Sequence, residues 1–350
     1  MRALKFHGPG KYGWEEAPVP ELVHATDAIV RVDAATICGT DLHILRGDVP
    51  EVEYGCTLGH EAMGTVTRIG SNVGSVAPGD RVLISCISPC GTCPSCRAGS
   101  YGLCTGGGGW VLGHLIDGVQ ADAVRVPYAD NSLYRLPPQI SDEAALLLAD
   151  ILPTSYEVGV LNGRVAPADT VVIVGAGPIG LAAVCTARLF SPAHVVVIDK
   201  AASRLAAAAK LGADVTITGA QDPVTVVTEL TDGVGADVVI EAVGLPETFE
   251  LCTRLVRAGG RVANVGVHGR PAALHLETLW SKDITITTGL VDTRTTSRLS
   301  SMMAAGRWDT SIFFTHRFRM ADIMQAYDVF ARATETGALK VALLGKEELS

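Results

Sequence analysis

The 350-residue sequence contains no run of lysine or arginine, and its net charge is −9. A chain without a basic face lacks the electrostatic footprint of a nucleic-acid binder, so no nucleic acid is expected as a partner. It also has no apolar run of the roughly 20 residues that a bilayer-spanning helix needs, and no membrane partner is expected. Met1-Arg-Ala-Leu-Lys-Phe6 opens as a strand rather than as the apolar core of a signal peptide, which makes the cytoplasm the expected location. Internal repeats are missing, and only Gly106–Gly109 is low in complexity. Charged residues make up 19% against 48% hydrophobic, which excludes a disordered chain. What is present is length enough for roughly two domains and nine cysteines. In a reducing compartment, that many cysteines point to metal or catalysis rather than to disulfides.

The chain is organised around Val171-Val-Ile-Val-Gly-Ala-Gly-Pro-Ile-Gly180. Four β-branched apolar residues in a row read as a strand buried on both faces. Gly175-x-Gly177-x-x-Gly180 follows, and then the Ala-rich run Leu181–Leu189, which reads as a helix. Gly175 permits the turn, Gly177 lets a pyrophosphate approach the main chain, and Gly180 lets helix and strand pack closely. Pro178 and Ile179 open the helix, whose free N–H groups would face the phosphates. A second apolar strand, Val195–Asp199, ends in an acid at the spacing of a ribose partner. Asp199 would accept from both ribose hydroxyls of NAD and repel the 2′-phosphate of NADP. Lys200 and Arg204 follow and could meet such a phosphate, although a solvated helix face accounts for them too. The alternative for the whole stretch is a structural βαβ turn without a ligand.

Up to about residue 155 the chain reads as β-rich, with strands at Ala28–Ala34, Glu61–Ile69, Arg81–Ile87 and Gln120–Val126. From 156 to 294, strands around 171–175, 195–199, 237–241, 261–266 and 284–288 alternate with helical runs and predict a doubly wound parallel sheet. Residues 295–350 hold helices near Thr296–Ala305 and Ala321–Ala333 and a closing strand, Ala338–Leu344. This last part is expected to rejoin the first. The predicted fold is therefore α/β, with a β-rich catalytic domain of residues 1–155 and 295–350. A Rossmann domain of residues 156–294 is inserted into it. Open sheets take ligands at the carboxyl ends of their strands. That places Val243, Gly244, Gly266, Val267, Gly289 and Leu290 among the cofactor contacts, with Thr154 at the entry to the domain.

Two cysteine constellations lie in the first third. Cys90-x2-Cys93-x2-Cys96-x7-Cys104 sets four thiols in a 15-residue loop with turns at Gly91, Pro94 and Gly99. A closed tetrahedral zinc suits it, with an iron–sulfur cluster or free core cysteines as the other readings. Cys86, at the end of an apolar strand, is expected to be buried and not a fifth ligand. The second constellation is dispersed. Cys38-Gly-Thr-Asp-Leu-His43 follows a strand, Gly59-His60-Glu61 precedes another, and Asp150 sits in Leu148–Ser155. Together they offer three ligands and a spare carboxylate, the pattern of a catalytic zinc with an open position.

With these residues the sequence resembles the zinc-dependent medium-chain dehydrogenases, the alcohol dehydrogenase family, over nearly its whole length. The resemblance implies a GroES-like catalytic domain, NAD as cofactor and two zinc ions per chain. Cys38, His60 and Asp150 would hold the catalytic zinc, with Glu61 behind it or alternating onto it. Cys90, Cys93, Cys96 and Cys104 would hold the structural one. Thr40 would take the substrate hydroxyl proton and pass it through the cofactor ribose to His43. A strand-end cap is the other reading of Thr40, and a solvated helix residue that of His43. Asp41, between them, is expected to support or cap rather than react. An aspartate as third ligand looks more like the bacterial secondary-alcohol branch than the animal and yeast enzymes, which carry cysteine there. A homotetramer is the expected assembly, with a dimer second.

Ile87, Trp110, Leu115 and Leu290 flank site segments and are apolar, which favours an alkyl or aryl alcohol, with its ketone or aldehyde, over a sugar. Polyols, threonine-like amino-acid alcohols and formaldehyde adducts stay open as substrates.

Overall fold

The computed structural model describes residues 1–345, so residues 346–350 of the expected catalytic domain lie outside it. The chain divides into two compact units. One is Met1–Asp150 with the chain from Asp292, and the other is Ile151–Val291. The divisions fall after Asp150 and Val291, against the expected 155 and 294.

The first unit is built on β1 (Arg2–Phe6), β2 (Tyr12–Glu16), β3 (Ala28–Thr36), β4 (Ala62–Ile69), β5 (Arg81–Ile84), β6 (Ala123–Val126) and β7 (Leu133–Arg135). β1 and β2 form an antiparallel pair. β3 is central: it pairs antiparallel with β4 and with β6, and its residues are buried on both faces. Two register shifts interrupt the β3–β4 ladder, and Gly64 sits beside them. A Cβ on Gly64 would lie 1.9 Å from the Arg31 carbonyl oxygen, so only glycine lets the two strands close there. Leu4, Val30, Val66, Val82 and Val124 fill the core.

Two expected strands are shorter than their apolar runs. β5 stops at Ile84 because Ser85 and Cys86 donate instead to Ser132 and Ala149, outside the ladder. Pairing in β6 starts at Ala123, since Gln120 exchanges its main-chain bonds with Leu4 and Leu58. The helical stretch Asp142–Ala149 carries no sequence periodicity because it is buried nearly all round.

The second unit holds β8 (Thr170–Val174), β9 (His194–Asp199), β10 (Val215–Thr218), β11 (Ala236–Glu241), β12 (Val256–Asn264) and β13 (Thr285–Thr288). They form one parallel sheet in the order β10-β9-β8-β11-β12-β13. The order reverses between β8 and β11, which is where doubly wound sheets open a ligand crevice. β10 has no counterpart in the sequence reading, because Val-Thr-Ile-Thr is too short and too polar to stand out. A π-helix at Ser155–Leu161 enters the unit.

The chain then returns to the first unit. β14 (Phe314–Arg319) and β15 (Lys340–Leu344) pair in parallel, and β15 pairs antiparallel with β3. The seven-stranded sheet is thereby completed by residues far apart in sequence. The helix Ile323–Ala331 packs Ile323, Ala326 and Tyr327 into the same core.

Candidate metal centres and cofactor-binding loop

Cys38 ends the link from β3 and caps the helix Gly39–Arg46. His60 and Glu61 lie immediately before β4, and Asp150 caps the helix Asp142–Ala149. The antiparallel pairing of β3 with β4 therefore brings the first three together, and Asp150 joins them from 112 residues away. His60 Nε2 is 3.6 Å from Asp150 Oδ2 and 4.0 Å from Glu61 Oε1, and Cys38 Sγ is 3.9 Å from Asp150 Oδ2. A tetrahedral zinc with ligands at about 2.0–2.3 Å spaces its donor atoms about 3.3–3.8 Å apart, so the set fits that ion. One ligand atom from each of the four residues lies within 4.8 Å of every other. Glu61 Oε1 is fully buried with no hydrogen-bond partner among the described residues, as a carboxylate oxygen facing a cation would be. Burial and the Glu61 charge push the Cys38 thiol up. A dication among these atoms would reverse that by stabilising the thiolate.

Behind this set lies a polar network that the sequence reading did not anticipate. Glu61 Oε2 accepts from Lys340 Nζ at 2.5 Å, and Lys340 is only 1% exposed. Burial works against its charge, but Glu61 holds the pKa of Lys340 above its ordinary value. Asp41 accepts from the Cys38 N–H at 2.9 Å and from Gln120 Nε2 at 3.0 Å, and its other oxygen lies 3.8 Å from His60 Nδ1. Tyr327 donates its hydroxyl to Gln120 Oε1 at 2.8 Å. Asp41 is thus a support for Cys38 and His60. A lysine inside the apolar run Ala338–Leu344 was the one sequence signal for this network.

Thr40 Oγ1 is 3.6 Å from Cys38 Sγ, at the start of the helix and beside the metal set. His43 is one turn further on, with Nδ1 2.8 Å from Asp48 Oδ2 and 3.0 Å from the Arg46 guanidinium. The ring is anchored through Nδ1, which leaves Nε2 for exchange. Trp110 and His60 meet at a steep angle of 78°, with ring centroids 6.0 Å apart. Of the other expected pocket residues, Ile87 is fully buried, Leu115 is 59% exposed, and Leu290 belongs to the second unit.

Cys90, Cys93, Cys96 and Cys104 converge as a second set. Sγ separations of 3.9 Å for Cys90–Cys96 and 4.0 Å for Cys93–Cys104 suit a closed tetrahedral site. Main-chain N–H groups of Cys96 and Thr105 point at Cys93 Sγ and lower its pKa to about 5. Desolvation and the neighbouring thiols push Cys96 up to about 12. Four thiols cannot all ionise unaided, and a dication lets them. Cys86 is buried and outside the set.

In the second unit Gly175 has φ +103, and a Cβ there would lie 2.6 Å from Val243 Cγ2. A Cβ on Gly180 would lie 1.8 Å from the Gly175 carbonyl oxygen. Around Gly177, by contrast, nothing among the described residues lies within 4 Å of that position, so space is open where a phosphate would approach. Gly177 caps the helix Pro178–Ala187, with Pro178 and Ile179 in its first turn. Asp199 accepts from the Ala176 N–H at 2.7 Å and the Ala201 N–H at 2.8 Å. Each oxygen keeps a second lone pair for a ribose hydroxyl. Lys200 is exposed and Arg204 half-buried. Gly244 and Gly266 meet behind the ends of β11 and β12, where a Cβ on Gly266 would strike the Gly244 N–H at 2.3 Å. Val243 and Val267 flank that contact, 43% and 59% exposed. Gly289 and Leu290 follow β13. Thr154 lies at the junction with the π-helix and is half-buried.

Residues 24–138 match the model of the alcohol dehydrogenase GroES-like domain, and residues 178–305 that of the zinc-binding dehydrogenase. An alcohol dehydrogenase of Cupriavidus necator is 36% identical, with 98% of each chain covered. Among solved structures, zinc dependent alcohol dehydrogenase 2 from Streptococcus pneumonia superimposes with a TM-score of 0.95 at 42% identity, covering 100% of both chains. Alcohol dehydrogenase TADH from Thermus sp. ATN1 does so with a TM-score of 0.91 at 37% identity, covering 99% of this chain and 100% of the other. Two metal sets of the right spacing, an open glycine turn on a doubly wound sheet and this likeness over full length agree: the chain belongs to the zinc-dependent medium-chain alcohol dehydrogenases.

Proposed function

We propose that the chain interconverts a secondary alkyl or aryl alcohol and its ketone with NAD. The observation that carries this reading is the convergence of Cys38, His60 and Asp150 with the ring of Trp110 against His60. That arrangement sets an aromatic wall beside a metal set of the aspartate type. When bound, the zinc supplies Lewis acidity that makes a substrate hydroxyl easier to deprotonate. Thr40 takes the hydroxyl proton, and His43 hands it on from its free ring nitrogen. Ile87 and Leu115 belong to the apolar surroundings of the substrate. Asp199 selects NAD, because a carboxylate repels a 2′-phosphate. The glycine turn with Pro178 and Ile179, Thr154, Val243, Gly244, Gly266, Val267, Gly289 and Leu290 hold the cofactor. Lys200 and Arg204 are solvated, and Asp199→Gly frees them for NADP.

The test is NAD reduction by the zinc-loaded protein with 2-butanol, cyclohexanol and 1-phenylethanol. Turnover of none of them, or equal efficiency with NADP, would refute the reading. The thiolate sets suit a reducing, cytoplasmic setting. The assembly is a homotetramer, with a dimer second. The edge strand β13 and the exposed Leu276 and Trp280, at 61% and 80%, support association through the second unit.

A further inference from the structure

His43 and Asp48 are joined at two points. At the end of the helix Gly39–Arg46, Gly47 turns into the left-handed region with φ +87, and its N–H donates to the Ile44 carbonyl. The Asp48 N–H then reaches back to the His43 carbonyl at 3.0 Å. These paired bonds are a Schellman ending, with glycine at the position whose φ other residues resist. Asp48 also returns its side chain to the same partner, with Oδ2 2.8 Å from His43 Nδ1. Main chain and side chain thus close on one residue, and the turn itself sets where the carboxylate stands.

Arg46 competes for that nitrogen. Its Nη2 is 3.0 Å from His43 Nδ1, and its Nε donates to Asp48 Oδ2 at 3.3 Å. A carboxylate only accepts and a guanidinium only donates, so Nδ1 cannot satisfy both. Carrying a proton, it donates to Asp48; bare, it accepts from Arg46. Three observations decide for Asp48. Its contact is the shorter. Its carboxylate is tethered by the turn, whereas the Arg46 side chain is 56% exposed and has water for its spare donors. His43 and Arg46 hold the Asp48 carboxyl below its ordinary pKa, so it meets the ring as an anion. The neutral ring then keeps its proton on Nδ1 and a lone pair on Nε2.

We propose that Asp48 is a positioning residue for His43, fixing the imidazole in the tautomer whose Nε2 can take a proton. This rests on the reading in which His43 ends the proton relay. A neutral ring with its hydrogen on Nε2 has no lone pair there to receive the proton. Once Nε2 is protonated, the carboxylate faces an imidazolium and stabilises it without taking the proton itself. Nε2 then releases that proton to water.

NMR spectra of the zinc-loaded protein, labelled in its histidine ring nitrogens, read which nitrogen carries hydrogen, with His43 identified by its loss in His43→Gln. The unaltered protein should show Nδ1–H. Asp48→Ala leaves Nδ1 to Arg46, so the tautomer should invert to Nε2–H. Its kcat/KM for alcohol oxidation should fall by about tenfold, less than a whole acid–base step. Arg46→Ala should keep the Nδ1–H signature. Added to His43→Gln, Asp48→Ala should cost nothing more, because a residue that acts through the ring has nothing left to orient. An Nε2–H ring in the unaltered protein would overturn the proposal, and that measurement needs no variant to fold. An unchanged tautomer or an undiminished rate in Asp48→Ala would overturn it too, as would the same tenfold loss in the His43→Gln background. Each of these leaves the relay through His43 standing. Full activity of His43→Gln would instead remove the relay, and the proposal with it.

Discussion

A lysine that is 1% exposed needs an anion, and Lys340 has Glu61. Removing one member of a buried ion pair leaves the other uncompensated, at a cost of about 3–5 kcal/mol. Lys340→Met should lower the urea-unfolding free energy by that order, and adding Glu61→Gln should recover part of it. Recovery by the double variant is what separates loss of charge balance from loss of packing. Thr40 makes a different kind of contribution, since its hydroxyl lies beside Cys38 Sγ rather than in a ladder. Thr40→Val should cost about 10²–10⁴-fold in kcat/KM, the range of a general acid–base step, while Thr40→Ser costs little. His43→Gln should cost less and be partly rescued by imidazole, because water can stand in for a group near solvent. An undiminished Thr40→Val variant with zinc retained would reduce Thr40 to a helix cap. Side chains with a chemical signature, such as Cys38, His60 and Asp150, were legible in the sequence. Gln120 and Tyr327 were not, because an amide and a phenol reveal a role only when folding puts them 2.8 Å apart.

The glycine turn and the cysteine loop were both legible as elements, because each confines its chemistry to a short stretch. They still divide labour within themselves. Gly180 is there for packing and Gly177 for access, as their surroundings differ. Gly180→Ala should therefore destabilise by about 1–3 kcal/mol through overpacking. Gly177→Ala, at φ −70 with open space around it, should leave the melting temperature nearly unchanged and weaken NAD binding by titration calorimetry. If both variants bound NAD normally, the turn would be purely structural. In the cysteine loop, Cys93 is the thiol most disposed to ionise, and its pKa is depressed from 9.0 to about 5. A depressed pKa contributes stability that is whole above the free-thiol value, shrinks as pH falls and is gone below about 5. Zinc retained after dialysis should follow that fall, because protons compete with the metal for sulfur. Cys93→Ser should lower zinc content from two per chain to one and reduce the melting temperature, while Asp150→Ala abolishes activity with the fold intact. Elements without a local signature went unread. β10 is half polar, and the helix Asp142–Ala149 is buried at every residue after its acidic first two.

Over the whole molecule, the insertion of one unit into the other could be read from strand and helix alternation, but not where it closes. Asp150 ends the first segment and is itself a metal-set residue. The expected boundary at 155 overran it because the helices Asp142–Ala149 and Ile151–Thr154 are separated by Asp150 alone. Assembly is read by light scattering, where a multiple of the 36.5 kDa chain is expected. Trp280→Glu, on the exposed side of the second unit, should lower that mass, and an unaltered mass would move the interface elsewhere. The contrast between the two metal sets extends to time. The four cysteines occupy 15 consecutive residues and can close on an ion while the chain is still being made. The other set draws on residues 38, 60, 61 and 150, and the counter-charge of Glu61 arrives only with residue 340 in the closing strand. At about 5–20 residues per second, that partner is made on the order of tens of seconds after Glu61. The four-cysteine set can therefore close on its metal early in synthesis, whereas the set around Glu61 gains its counter-charge only once residue 340 has been made.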